Sequence, residues 1–133
     1  MKRKIRLGVL RCDTHAYWYA PLFAKCDCDR FRINDTACYN IFCSLGDPQK
    51  LDIPWVPGFT IASCWDEEEE RAKEFSATFL GTAEVSSSPK EMADKKKIDA
   101  AFIADCSGDG HDKLKLARPF IEKGIPVFVD KPF

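Results

Sequence analysis

The sequence predicts an α/β fold: a doubly wound parallel sheet with an insertion between its first helix and its second strand. Three observations carry this. Short apolar runs alternate with segments of helical periodicity along most of the chain. The run at residues 98–105 is almost continuously apolar, as a strand covered on both faces must be. Turn and cap residues stand between the segments where the alternation needs them.

In chain order, residues 5–10 (Ile-Arg-Leu-Gly-Val-Leu) read as the first strand, and residues 17–24 belong to the first helix. Residues 25–56 are too long for a helix and a turn, hold four of the seven cysteines and are rich in aromatics, so they read as the insertion. The aromatics of this part of the chain, Trp18 and Phe23 of the first helix with Phe42 and Trp55 of the insertion, serve either as a partner surface or as a local mini-core. The pair Pro57-Gly58 introduces a second strand at 60–65. Five acids, 66–70, open a helix whose Ala72, Phe75, Ser76 and Phe79 share one face. Residues 81–85 form a short third strand. Ser88-Pro89-Lys90-Glu91 then starts a helix, with a capping Ser, Pro in the first turn and Glu at the third position; it ends in three lysines, 95–97. The fourth strand at 98–105 leads to a loop, 106–110, and a helix over 111–123 that contains Pro119 and is closed by Gly124. Residues 126–129 are the last strand, and the chain stops at Phe133.

Composition bounds the function. A chain of 133 residues makes about one domain. With 45% hydrophobic and 31% charged residues it is an ordinary globular sequence. Twenty basic and 21 acidic residues leave a net charge of -1, which excludes charge-driven nucleic-acid binding. No apolar stretch reaches the length of a membrane span. Lys2, Arg3 and Lys4 precede an apolar run as in a secretory leader, but Arg6 interrupts that run and it is too short, so it reads as a buried strand. Seven cysteines, an odd number, fit free thiols in a reducing compartment, and a cytoplasmic protein is expected. The spacing Cys26-x-Cys28, Cys38, Cys43 departs from structural zinc patterns, so no metal is expected.

Ligands of such sheets bind beyond the carboxyl ends of the strands. Those ends are residues 11–15, Asp66, 86–88, 106–110 and the pair Asp130-Lys131. A carboxylate at the end of strand 2 can accept both hydroxyls of a ribose and repel a 2′-phosphate; it can equally cap the helix that follows.

The run Ile98-Asp99-Ala100-Ala101-Phe102-Ile103-Ala104, then His111, Leu116-Ala117, and the stretch 122–132 ending Val-Asp-Lys-Pro resemble the Gfo/Idh/MocA oxidoreductases. Residues 62–79 are similar to that family's second strand and helix. The resemblance covers residues 4–16 and 59–133, and Asp-Lys-Pro after a Val-rich strand is its most specific piece. It implies a Rossmann-like dinucleotide domain that takes NAD, with NADP disfavoured by Asp66. It also implies a following α/β domain for a sugar- or polyol-like substrate, a homo-oligomer, and hydride transfer between nicotinamide and substrate. The chain, residues 1–133, then corresponds to a single cofactor domain without the substrate domain. Lys131 matches the motif's catalytic lysine, with Asp130 in place of Glu. His111 matches the loop histidine beside the nicotinamide, and Cys106 and Ser107 stand in the same loop.

The first loop departs from the family. Arg11-Cys12-Asp13-Thr14-His15-Ala16 stands where Gly-x-Gly-x-x-Gly is required for backbone amides to approach a diphosphate. Gly8, Arg11, Asp13, Thr14 and His15 are expected on the cofactor side, with Arg11 pairing Asp13 or gripping phosphate and Thr14 and His15 donating at the helix start. The alternative is a non-catalytic Rossmann-shaped binding module that has lost its nucleotide.

Overall fold

The structure, a computed structural model, describes residues 2–44, 53, 55–94, 98–105 and 112–131. Five strands, β1 (Ile5–Leu10), β2 (Phe59–Trp65), β3 (Glu84–Val85), β4 (Ala100–Ile103) and β5 (Val127–Val129), form one sheet in the order β3-β2-β1-β4-β5. Every neighbouring pair is parallel. From the central β1 the chain first builds outward on one side and then on the other, so strand order reverses between β1 and β4.

The helices follow from the connections. α1 (Thr14–Tyr19), α2 (Cys28–Asn34), α3 (Thr36–Ser44) and α4 (Glu69–Thr78) lie on the β1–β2–β3 crossovers; α5 (Pro89–Asp94) and α6 (Lys113–Ile121) lead to β4 and β5. Two cores result. On one face Val9, Ile61 and Phe102 pack with Tyr17, Phe31, Phe75 and Phe79; on the other Leu10, Ala101 and Ile103 pack with Met92, Leu116 and Phe120. Gly8, expected on the cofactor side, lies within β1. A Cβ there would sit 2.5 Å from Met92 Sδ and 2.8 Å from Ile98 Cδ1, so a larger residue would force those side chains of the second core to shift.

The insertion is helical, and it belongs to the first core. Asp27 caps α2 by accepting from the N–H groups of Asp29 and Arg30 at 3.0 and 3.1 Å. Asp35 accepts from the N–H of Cys38 at 2.9 Å and so starts α3. Phe31 is fully buried against Tyr17, ring centroids 5.7 Å apart, and Phe42 packs on Phe31 and Trp18. Trp55 stays half exposed. The first helix is shorter than expected and starts earlier. Asp13 caps it, and at Pro21 the chain tightens into a 3-10 turn, Ala20–Leu22. The acid-opened helix begins three residues late, because Asp66 turns back on the N–H of Glu68 instead of entering the helix. Gly124 ends α6 with φ +68°, and the N–H of Ile125 reaches the carbonyl of Phe120 at 2.9 Å.

Candidate functional site

Among the described residues, the carboxyl ends of the strands form a crest that carries two cavities of about 370 Å³ each, at opposite ends of the strand order, and a third of about 440 Å³ lies beside the β1–α1 turn against Asp13, Thr14, Glu70 and Arg71. The first lies at the ends of β2 and β3 and is lined by Asp66, Glu67, Glu69, Ser86 and Ser87. Asp66 is buried, with Oδ2 accepting from the N–H of Cys12 at 2.8 Å and Oδ1 from the N–H of Glu68 at 2.9 Å. These bonds tie the end of β2 to the β1–α1 turn and brace the approach to α4.

The β1–α1 turn separates the cavities. Arg11 has φ +70°, a left-handed conformation that costs a non-glycine residue about 1–2 kcal/mol. The backbone thus keeps the shape of a glycine turn although the side chain is large. The guanidinium meets Glu67 at 3.0 Å and Asp112, and lies over the Trp65 ring. Its hydrogen bond to Glu67 holds that carboxyl below its usual range. Arg11 therefore neither pairs Asp13 nor stands free for phosphate. Asp13 caps α1, its Oδ1 accepting from the N–H of His15 at 3.1 Å. Burial and the neighbouring Cys64 push the Cys12 thiol up, which makes it a poor nucleophile.

The second cavity lies between α1, α3 and the end of β5, lined by Thr14, His15, Trp18, Ile41, Asp130 and Lys131 among others. His15 and Asp130, expected separately, come together here: Nδ1 lies 2.5 Å from Asp130 Oδ2. Nδ1 is buried and makes no aligned hydrogen bond there. Tyr19 stands one turn along α1, and burial, with the Asp130 charge nearby, pushes its phenol up. The buried Lys113 ammonium donates to the Asp130 carbonyl at 2.6 Å, and the Asp130 N–H donates to Ile103 at 3.0 Å. The Asp130 backbone is thus fixed from α6 and β4, while Lys131 beside it is exposed.

Cys106, Ser107 and His111 lie outside the described residues. Sequence reasoning missed Glu67, Asp112, Lys113 and Tyr19. Only Tyr19 left a signal, its four-residue offset from His15 on one helix. The six described cysteines are free thiols, and among the described residues no group of His, Cys, Asp or Glu is arranged to hold a metal ion. No helix among them is long and apolar enough to cross a membrane.

The family described as "Oxidoreductase family, NAD-binding Rossmann fold" matches residues 49–133, which is most of the chain. The chain belongs to the Gfo/Idh/MocA oxidoreductases. Among solved structures, this Gfo/Idh/MocA domain is similar to an oxidoreductase from Thermotoga maritima, with TM-score 0.60 and 21% identity over 98% of the chain and 30% of that protein. It is similar to myo-inositol dehydrogenase from Lactobacillus casei in complex with NAD(H) and myo-inositol, with TM-score 0.63 and 15% identity over 97% of the chain and 29% of that protein. A 3-ketoreductase mutant from Actinomadura kijaniata, in complex with TDP-benzene and NADP, gives TM-score 0.63 and 17% identity over 98% and 31%. The chain therefore spans about a third of the length of these structures, and the likeness is one of fold. Among curated proteins nothing matches.

The crest suits a dinucleotide unevenly. The Asp66 cavity offers a carboxylate and serine hydroxyls to an adenosine. At the β1–α1 turn, however, the N–H groups of Cys12 and His15 are held by the carboxylates of Asp66 and Asp13. The Asp13 and Asp66 carboxylates thus disfavour a diphosphate at this turn, because its negative charges would meet those of the chain.

Proposed function

We propose that this domain carries the coenzyme of an oxidoreductase that moves hydride between NAD and a sugar- or polyol-like substrate. The supporting observation is Asp66, a buried carboxylate at the end of β2 beside a left-handed β1–α1 turn. Its free lone pairs suit the two hydroxyls of the adenosine ribose. Glu67 and Glu69 share its cavity, and a 2′-phosphate would meet three carboxylates there, which favours NAD over NADP. At the other cavity, Lys131 is the residue that orients a substrate oxygen, and Asp130 holds the corner. The Asp13 carboxylate beside the β1–α1 turn weakens the binding of the diphosphate.

Thermal melting with millimolar NAD, NADH and NADP tests the reading. A ligand at 100 times its dissociation constant stabilises the native state by about 2.7 kcal/mol. NAD and NADH raise the melting temperature, NADP raises it less, and Asp66→Asn narrows the difference. Asp13→Gly enlarges the NAD shift. An absence of any shift in both the wild type and Asp13→Gly overturns the proposal in favour of a Rossmann-shaped module without a nucleotide.

A further inference from the structure

At the opposite end of the sheet from the crest, the amino ends of β1 and β2 and the carboxyl end of α4 border a cavity of about 300 Å³. Phe23, Trp55, Phe59 and Leu80 give it an apolar wall, and the exposed Lys4 and Lys25 complete the lining. The mini-core around Phe31 takes Trp18 and Phe42 but not Phe23 or Trp55. Phe23 packs on Phe59 instead, ring centroids 5.2 Å apart, and Trp55 stays half exposed beside Val56, whose N–H donates to the Leu22 carbonyl at 2.8 Å. Leu80 has φ +62°, a left-handed conformation that favours glycine and strains a leucine. Burial does not offset that strain, because Leu80 is 57% exposed. Its side chain serves the cavity rather than the core. Lys4 and Lys25 have no ion pair or hydrogen bond among the described residues. The carbonyls at the end of α4 are already engaged: Ser76 accepts from the Gly81 N–H at 2.8 Å, Ala77 from the Leu80 N–H at 3.2 Å and Phe79 from the Thr82 hydroxyl at 3.0 Å. Two unpaired ammonium groups beside three aromatic rings repel a cationic guest and suit an apolar body with a negative end.

We infer that this cavity binds a small aromatic carboxylate, with its ring against Trp55, Leu80 and the Phe23–Phe59 pair and its carboxylate on the Lys4 and Lys25 ammonium groups. The site lies away from the strand ends assigned to the coenzyme, so it goes beyond that reading and does not depend on it. A neutral ring leaves both charges unanswered, and a saturated anion forgoes the edge and face contacts that flat rings make with one another.

The test is a titration of the whole chain followed through the indole N–H signals in nitrogen-proton correlation spectra. The chain has three tryptophans, and Trp55→Phe identifies the signal of Trp55. The probes are 3-phenylpropanoate, its neutral amide, and 3-cyclohexylpropanoate. Phenylpropanoate is expected to move the Trp55 signal, leave those of Trp18 and Trp65 in place, and bind about fivefold more tightly than the amide, as two exposed charge contacts allow. It also binds more tightly than the cyclohexyl acid. The double variant Lys4→Met, Lys25→Met abolishes the preference over the amide, and Lys4→Arg, Lys25→Arg keeps it. Leu80→Gly weakens binding without lowering the melting temperature, because glycine relieves the strained backbone as the wall is lost. Equal affinity for the amide, a preference that survives the double Met variant, or a Trp55 signal unmoved at millimolar phenylpropanoate overturns the inference. None of these results bears on the NAD melting shift, so the two proposals fail separately.

Discussion

Gly8 and Asp99 show how single positions hold this sheet together. At Gly8 a methyl group would press on Met92 and Ile98, so Gly8→Ala is expected to cost about 1–3 kcal/mol in chemical denaturation, although alanine is otherwise the easier residue to order. A loss below about 0.5 kcal/mol would mean that the second core yields. Asp99 ties the starts of β1 and β4: its Oδ2 accepts from the Arg6 backbone and guanidinium at 2.9 and 3.0 Å, and Arg3 adds a further contact. Arg6, by these hydrogen bonds, holds the carboxyl well below its usual range. A carboxyl depressed in the folded state stabilises above its unfolded pKa of about 3.9, and this contribution disappears as pH falls toward the folded value. The melting-temperature gap between wild type and Asp99→Asn is therefore constant from pH 7 to about 5 and closes below about 4. A gap that persists unchanged at pH 2–3 would place the stabilisation elsewhere.

At the scale of elements, α2 and α3 are part of the body of the domain. Phe31→Ala removes a fully buried ring from the first core and is expected to cost about 3–5 kcal/mol; an appended surface loop would tolerate it with almost no change. Asp27→Ala, by loss of the α2 cap, should cost about 1 kcal/mol. The sequence hid these helices because each spans only about two turns, too few for a 3.6-residue period to emerge. Their legible trace was the pair of capping aspartates, Asp27 and Asp35. The strands were readable because parallel strands buried on both faces leave unbroken apolar runs. So was the start of α5, where Ser88 Oγ accepts from the Glu91 N–H at 3.0 Å and Glu91 reaches back to the Ser87 N–H. The site was half readable. Asp66, Asp130 and Lys131 announce themselves by position at strand ends, but the meeting of His15 with Asp130 depends on a sheet order that no local pattern encodes.

The whole molecule joins its two cores through β1, which packs on both. Unfolding is accordingly expected to be a single transition, with tryptophan fluorescence and far-ultraviolet dichroism giving superimposable curves. Separate midpoints would show that α2 and α3 melt on their own. The fixed point of the crest is Arg11, whose guanidinium links the turn after β1, the residue after Asp66 and the residue before α6. Anything long enough to stretch from one cavity to the other must part those three strands of chain. Dissolved electrolyte loosens such half-open charge pairs as surely as it dulls the pull on an approaching anion. Admission rates followed by stopped flow should therefore climb with moderate ionic strength before they decline, the reverse of what simple attraction at low salt dictates.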